Sequence, residues 1–267
     1  MEHLKKQIYG NIKVLSPNGE PMFLCGEEKA DWYLSRGLAV FISENKDNKI
    51  IQLTFQPKGT GHNNDADKDF FLSKKEAICV VCGSKDELTK HHCVPYIFRS
   101  AWSKTEERKH VAHTMHDILL LCINCHRKYE IEASKLKDNM IKDIIIKYQQ
   151  DHRIADDFLG AARTMKMVTK NNIPHKQFKK INKFLSNYIS KPVNEMTEEE
   201  IDENIERLKC EHKLHKKIAK ENMSENLRNK MREDSLKNFF ITWRKHFVDT
   251  MNPKYLPNGW NLNYWKE

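Results

Sequence analysis

The chain has 267 residues, of which 39% are apolar and 31% are charged, with a formal net charge of +9. This length allows one large domain or two to three small ones, and the apolar content is enough to build real cores. No apolar run approaches the roughly 20 residues of a membrane-spanning helix, and none follows the N-terminus, so neither a span nor a signal peptide is expected. The positive balance suits a polyanionic partner, either nucleic acid or an anionic membrane, although a lysine-rich surface gives the same total. The basic helices lack a clear apolar stripe opposite a Lys/Arg face, so no membrane partner is expected.

The first 57 residues have the pattern of a small α/β unit. Asn18-Gly19, within a run of turn residues, is the strongest hairpin signal, and Gly37 is a natural helix stop. The expected elements are strands at residues 12–15, 22–24, 38–42 and 50–55 and a helix at residues 27–36. Residues 58–69 are almost wholly polar, which predicts a linker.

From residue 136 onward the pattern becomes helical. Apolar positions recur at helical spacing in residues 140–148, 158–167 and 178–189, with a breaker at residues 171–174. Thr197 is a good N-cap, and Ser224 with Glu225 is expected to open a further helix that reaches Phe247. The expected fold class is α+β, with a small α/β unit (1–57), a linker (58–69), a cysteine-rich module (70–135) and a helical C-terminal region (136–267).

Four of the seven cysteines form two Cys-x-x-Cys pairs, which are Cys79 with Cys82 and Cys122 with Cys125. Each pair directs two thiolates at one point, so together they predict a tetrahedral four-cysteine zinc site. This use of cysteine favours a metal over disulfides and an intracellular, reducing compartment, the cytoplasm or the nucleus. The pairs are 39 residues apart, so a substantial structure folds inside the loop that zinc closes.

Histidines cluster inside and beside this loop. His91 and His92 are adjacent within it, Asp117 begins an apolar run that leads into Cys122, and His126 follows Cys125 directly. Glu130 lies four residues after His126, on the same face of the expected helix. A lone histidine is more often structural than catalytic, but this coincidence favours a functional site.

The order of these motifs resembles the zinc-stapled HNH (ββα-metal) endonucleases. The resemblance implies that two strands and a helix in residues 70–135 hold one catalytic divalent metal (Mg²⁺, Mn²⁺ or Zn²⁺). It implies His91 and His126 as metal ligands, His92 as the general base, and Asp117 at the position where the family has Asn, which orients the base or helps to hold the metal. Glu130 stands where the family often has a further His, and it either ligates the metal or faces solvent.

The chemistry is consistent with this resemblance. Hydrolysis of a phosphodiester needs a base with a pKa near neutrality, which an imidazole supplies, and a cation beside the phosphate. Four basic residues close to the site could hold the flanking phosphates, although each singly fits an ordinary solvated charge: Lys90, Arg99, Arg127 and Lys128.

A second resemblance covers most of residues 10–130. Residues 10–38, 51–57 and 79–83, Val94-Pro95 and residues 116–126 resemble a region of the exonuclease 3′–5′ domain-containing protein two family. The exonuclease domain of that family is not expected here, because no such domain precedes the matched region in a chain that begins at Met1. Exonuclease chemistry is therefore not carried over.

Two weaker signals have ordinary explanations. Cys210, His212 and His215 could form another metal cluster but fit a solvated helix face better, and the aromatic residues of the C-terminal segment fit a core better than a base-stacking surface. The expected function is a metal-dependent endonuclease that acts on DNA, with RNA not excluded. The alternative is a non-catalytic zinc-stapled nucleic-acid-binding or scaffold protein. Convergence of His91, Asp117 and His126 would discriminate between them.

Overall fold

A computed structural model describes residues 9–45, 48–59, 65–103, 105–111, 115–168, 179, 182–189 and 191–265. The chain divides into two compact units, one formed by residues 1–137 with 231–267 and the other by residues 138–230. The architecture is mixed α+β, 57% helical and 13% strand, as the sequence predicts. The first unit contains every strand of the described chain.

The N-terminal part of the first unit is a four-stranded sheet with one helix. Its elements are β1 (Ile12–Leu15), β2 (Pro21–Cys25), α1 (Glu27–Ser35), β3 (Ala39–Asn45) and β4 (Asn48–Leu53). The strand order is β2-β1-β4-β3, with β1 and β4 parallel and the other neighbours antiparallel. Alternate residues Ile12 and Val14 are buried against Ile51 and Leu53, so the sheet has one core face. The strands and the helix expected in residues 12–55 are confirmed.

Helix α2 (Asp65–Leu72) begins inside the segment whose composition predicts a linker. Local polarity was misleading there because the helix is fixed at its end by Phe70, which is 1% exposed and packs on His116 with ring centroids 3.7 Å apart. Residues 60–64 of the expected linker lie outside the described residues.

The cysteine-rich region forms a two-stranded antiparallel ribbon followed by a helix. Strand β5 (Leu88–His92) pairs with β6 (Ile118–Cys122), with His91 opposite Leu119 and His92 opposite Ile118. Between them lie α3 (Tyr96–Ser100), α4 (Arg108–Val111) and a 3-10 turn at Met115–Asp117. Helix α5 (Ile123–Val168) starts directly after β6, so the strand and the helix share the second cysteine pair.

The second unit is helical. It contains the later part of α5, a 3-10 turn at Val193–Glu195 and most of α6 (Glu198–Arg232). Its core brings together Phe158, Met165, Leu185, Val193 and Ile205 among other residues. The N-cap expected at Thr197 is confirmed, since the Thr197 hydroxyl accepts from the backbone N–H of Glu200 and the Glu200 carboxylate accepts from the backbone N–H of Thr197. The breaker expected at residues 171–174 lies outside the described residues.

The C-terminal segment returns to the first unit. Helix α6 continues through Ser224 to Arg232, so the expected start of a helix at Ser224 and Glu225 is wrong. Instead Ser235 begins α7 (Leu236–Met251), and its hydroxyl accepts from the backbone N–H of Asn238. The buried face of α7 carries Phe240, Trp243 and Phe247. The expectation that these aromatic residues form a core is confirmed. No described helix is both long enough and apolar enough to cross a membrane.

Candidate metal centres

Strand β5 presents two residues to the start of helix α5. Successive side chains of a strand point to opposite faces, so Thr89 and His91 share one face and Lys90 and His92 share the other. Both Thr89 and His91 contact His126, which lies in the first turn of α5. Glu130 follows one turn later, so the ribbon and the helix together bring His91, His126 and Glu130 to one point.

The ligand atoms of these three residues form a nearly equilateral triangle. His91 Nδ1 lies 3.2 Å from His126 Nε2 and 3.5 Å from Glu130 Oε1, and His126 Nε2 lies 3.3 Å from the same oxygen. A metal about 2.1 Å from each ligand requires ligand pairs about 3.0 Å apart in octahedral geometry or about 3.4 Å apart in tetrahedral geometry. The triangle therefore has the dimensions of one face of a metal coordination shell.

Thr89 fixes the tautomer of His126. Its single hydroxyl hydrogen is donated to the Leu121 carbonyl at 2.9 Å, so its contact of 2.8 Å with His126 Nδ1 requires that nitrogen to carry the hydrogen. The Nε2 atom of the neutral ring then has a free lone pair directed at His91 and Glu130. Metal-binding histidines are commonly oriented in this way by a hydrogen bond to the other ring nitrogen.

His91 is held as a neutral ring. It is 4% exposed, stacks against Phe247 and meets Tyr129 edge-on at a centroid distance of 4.9 Å. Burial lowers the pKa of His91, which favours its neutral ring over the imidazolium. The hydrogen bond from His91 lowers the pKa of Glu130, so the carboxylate stays ionised. A neutral imidazole and an ionised carboxylate are the forms that bind a metal, which would take the place of the hydrogen between His91 Nδ1 and Glu130.

The four cysteines of the two pairs form a second group. The Sγ atoms of Cys79, Cys82, Cys122 and Cys125 all lie within 4.8 Å of one another, and those of Cys82 and Cys122 are 3.7 Å apart. Four thiolates at about 2.3 Å from one tetrahedral zinc lie about 3.8 Å apart, which the observed distance matches. Burial acts to raise the pKa of Cys79, but backbone hydrogen bonds from Cys122, Cys82 and Val81 outweigh it and lower the value to about 7. Cys79 therefore favours the thiolate, and the four sulfur atoms fit one metal ion.

Asp117 lies outside both of these metal-ligand groups. Its Oδ1 accepts a hydrogen bond of 2.8 Å from Arg244 Nε, and both side chains are almost fully buried. The expected convergence of His91, Asp117 and His126 therefore occurs only for the two histidines, with Glu130 as the third member of the group. The backbone carbonyl of Asp117 accepts from the N–H of Cys93, the residue after His92. Asp117 thus fixes the turn at the end of β5.

Arg244 is the residue that sequence reasoning missed. Besides Asp117, it donates to the carbonyls of Leu262 and Tyr264 and so joins α7, the C-terminal tail and the turn before β6. Arg244 lies 127 positions from Asp117 in the sequence, and no local pattern indicates a pair that far apart. Thr89 and Phe247, which hold the two metal-facing histidines, carried no recognisable signal either.

The expected phosphate-contacting residues are dispersed. Arg127 lines an open groove of about 460 Å³ together with His126, Glu130 and two isoleucines. Lys128 is exposed on the same helix, whereas Lys90 projects to the other side of the ribbon. Arg99 donates to the carbonyl of Val94 within its own turn. The groove leaves the Glu130 side of the metal triangle accessible to a large ligand.

The cluster suggested at Cys210, His212 and His215 is absent from the metal-ligand groups of the described residues. His212 Nδ1 instead contacts the Ala155 carbonyl at 2.8 Å, and His215 stacks on Phe158. Both histidines therefore belong to the packing of the helical unit.

With these groups established, comparison with known proteins is informative. The chain is similar to exonuclease 3′–5′ domain-containing protein 2. It is 28% identical to the human protein and 26% identical to the Drosophila melanogaster protein, in each case over 97% of this chain. It is also 34% identical over half its length to "Protein RRP6-like 3" of Arabidopsis thaliana, where the match covers 14% of that protein. The chain spans 41% and 44% of the human and fly relatives. No family model matches the sequence, and no solved structure matches it.

Proposed function

We propose that this protein is a metal-dependent HNH-type endonuclease that hydrolyses phosphodiester bonds in nucleic acid, with DNA as the favoured substrate. The observation that carries the proposal is the triangle of His91 Nδ1, His126 Nε2 and Glu130 Oε1 beside an open groove. We assign the catalytic module to residues 70–135, supported by α7 and the C-terminal tail. The basic net charge and the name of the similar human and fly proteins, exonuclease 3′–5′ domain-containing protein 2, support a nucleic-acid substrate.

The donor set narrows the choice of ion. Two imidazoles and one carboxylate suit a borderline cation such as Zn²⁺ better than Mn²⁺ or Mg²⁺, which prefer oxygen ligands. When bound, the ion would stabilise the negative charge that develops on the scissile phosphate and the leaving oxygen. Asp117, paired with Arg244, is assigned a positioning role and no ligand role. The four cysteines would hold a structural Zn²⁺, which requires reduced thiols and hence a reducing compartment.

His92 is the proposed general base. It is half-buried and follows the metal ligand His91 as the last residue of β5, where the backbone of the next residue is hydrogen-bonded to Asp117. The alternation of the strand places His92 on the face of the ribbon opposite to His91, so this role requires the His92 ring to reach the metal around the end of β5. An imidazole has its pKa near neutrality and can accept the proton of the attacking water. The pairing of Asp117 with Arg244 would keep the turn after His92 in one conformation.

The same ion pair supports a second candidate. Asp117 is withdrawn from the metal group, and Glu130 stands where the family often has His, so the module could be a zinc-stapled nucleic-acid-binding protein without catalysis. The two candidates differ in whether the module cleaves nucleic acid or only binds it.

A nicking assay on supercoiled plasmid separates the two candidates. The wild type is incubated with Mn²⁺, Mg²⁺ or Zn²⁺ beside His92→Ala and His126→Ala, with His152→Ala of the helical unit as the matched control. Loss of a general base lowers the rate by about 10²–10⁴-fold, so both site variants should become inactive while the control retains activity. Equal cleavage by all four proteins would overturn the nuclease assignment. DNA retention on gels without cleavage by any of them would establish the second candidate, and cleavage of RNA alone would replace DNA as the substrate.

A further inference from the structure

A cavity of about 270 Å³ lies on the other side of the β5–β6 ribbon from the metal triangle. Lys90 lines it, and Lys90 alternates along β5 with the metal-facing residues Thr89 and His91. Ile118 also lines it, and Ile118 is the register partner of His92. The cavity is therefore on the same face of the ribbon as His92, and the N-terminal sheet and α2 close it.

The cavity carries positive charge without compensating acids. Lys29, Lys75 and Lys90 line it, whereas none of its described lining residues is an Asp or a Glu. None of these three lysines forms an ion pair with a carboxylate of the described residues. Three uncompensated ammonium groups around one concave space favour an anionic ligand.

Lys75 makes the strongest case for a missing anion. It is only 6% exposed, its Nζ donates to the Phe70 carbonyl at 2.7 Å, and it lies 4.5 Å from the centre of the Phe70 ring. Burial lowers the pKa of Lys75 to about 8, because a desolvated ammonium group has no neighbouring negative charge to favour it. The amine is fixed in place, since the Asn11 side chain exchanges two hydrogen bonds with the backbone of Lys75. An anion in the cavity would offset the desolvation of this fixed cation.

The N-terminus of α1 also opens into the cavity. Gly26 is the N-cap residue, it has no side chain to accept from the first-turn N–H groups, and it lines the cavity. A Cβ atom on Gly26 would meet nothing within 4 Å. The positive end of the helix dipole thus faces the cavity together with the three lysines, with Glu27 and Glu28 of the first turn outside the cavity lining.

The remaining walls are aromatic and aliphatic. Tyr9 and Phe70 supply ring surfaces beside the lysines. A ligand that satisfies both kinds of wall carries a phosphate group and a flat ring, as a nucleotide does.

We propose that this cavity binds the terminal nucleotide of a nucleic-acid strand that carries a 5′-phosphate, with this phosphate among Lys29, Lys75, Lys90 and the α1 N-terminus. The proposal rests on the proposed function for the identity of the polymer, but binding at this cavity requires no cleavage. The β5–β6 ribbon would then have two functional faces, with the metal ligands on one face and a binding site for a nucleic-acid strand on the other.

The test measures binding of the dinucleotides pTpT and TpT to the full chain by calorimetry without added divalent metal. The decisive pair of variants is Gly26→Asp and Gly26→Ser, because both residues are good N-caps and both side chains fit the open space, so both proteins should fold. Only Asp places a negative charge in the cavity. A parallel pair compares Lys29→Gln/Lys90→Gln with the exposed Lys58→Gln/Lys85→Gln, which removes the same charge elsewhere in the first unit.

The wild type should bind pTpT at least about tenfold more tightly than TpT, which corresponds to roughly 1.4 kcal/mol. Gly26→Asp and the Lys29/Lys90 double variant should lose this preference, whereas Gly26→Ser and the Lys58/Lys85 double variant should keep it. Equal binding of pTpT and TpT by the wild type, or equal binding by Gly26→Asp and Gly26→Ser, overturns the cavity assignment. The metal-site variant His126→Ala should retain the preference, so failure of the nuclease proposal and failure of this one give different results.

Discussion

The ion pair between Arg244 and Asp117 is expected to stabilise the packing of helix α7 against the β5–β6 ribbon. The perturbation that tests this is Arg244→Met, which keeps an unbranched side chain of similar length and removes the guanidinium. It takes away the 2.8 Å bond to Asp117 and the bonds to the carbonyls of Leu262 and Tyr264. What remains is a carboxylate that is 2% exposed and has lost its cation.

Burial decides the size of the effect. Removing one partner of a buried pair costs about 3–5 kcal/mol, because the remaining charge stays desolvated and uncompensated. Arg232 and Glu107 provide the comparison, since they are 2.7 Å apart but 48% and 46% exposed. A screened surface pair contributes about 0–1 kcal/mol, and the position of Arg232 over the Trp102 ring adds about 0.5–1 kcal/mol, so Arg232→Met should cost at most about 2 kcal/mol.

Urea unfolding followed by tryptophan fluorescence measures the free energy of unfolding of the first compact unit in Arg244→Met and in Arg232→Met. All five tryptophans lie in residues 1–137 and 231–267, so their emission is insensitive to the helical unit 138–230. In the double variant Arg244→Met/Asp117→Asn the loss should be smaller than the sum of the two single losses, because no charge is left buried. A loss below about 1 kcal/mol for Arg244→Met, or strict additivity in the double variant, would refute a stabilising ion pair.

Three further results are expected. Thr89→Val should lower the affinity of the His91–His126–Glu130 group for Mn²⁺ or Zn²⁺ by about 10–100-fold in calorimetry, because the Thr89 hydroxyl fixes the His126 tautomer. Thr89→Ser keeps a hydroxyl and should retain the wild-type affinity. Unchanged affinity in Thr89→Val would contradict the role of the hydroxyl. Chelation or Cys82→Ser should release bound zinc and increase hydrogen exchange in β5 and β6, whereas the exposed Cys210→Ser should change neither. Burial lowers the pKa of Lys75 from 10.5 to about 8, so between these pH values the unfolded chain binds more protons than the folded one. In unfolding titrations, the free energy of unfolding of the wild type relative to Lys75→Met should therefore rise with pH across that window. A difference that does not change with pH would argue against a desolvated amine.

Sequence reasoning was most successful where the signal was local. The N-terminal strands followed from short β-prone runs and an Asn-Gly turn, and the cap at Thr197 followed from a threonine directly before three glutamates. The spacing within each Cys-x-x-Cys pair directs two sulfur atoms at one point, so the sequence alone predicts which four cysteines come together. The spacing of His126 and Glu130 was informative for the same reason, because one helical turn brings them together.

It was least successful where distant segments supply the explanation. Helix α2 forms in a polar stretch because Phe70 packs against His116, and no pattern within residues 58–69 records that contact. Asp117 could be read as a metal-site residue because its cation lies far along the chain in α7. The cavity beside Lys75 likewise depends on residues from both ends of the first unit, which composition cannot bring together.

The order of the chain has a consequence for how the site matures. Every candidate metal ligand has been synthesised by residue 130, but the cation of Asp117 and the ring that covers His91 belong to Arg244 and Phe247. During synthesis, a nascent chain therefore carries the ligands for more than a hundred residues before the elements that fix them exist. A nuclease organised in this way would become competent only when α7 is complete, so translation products that stop before α7 would be less able to cut nucleic acid than those that include it.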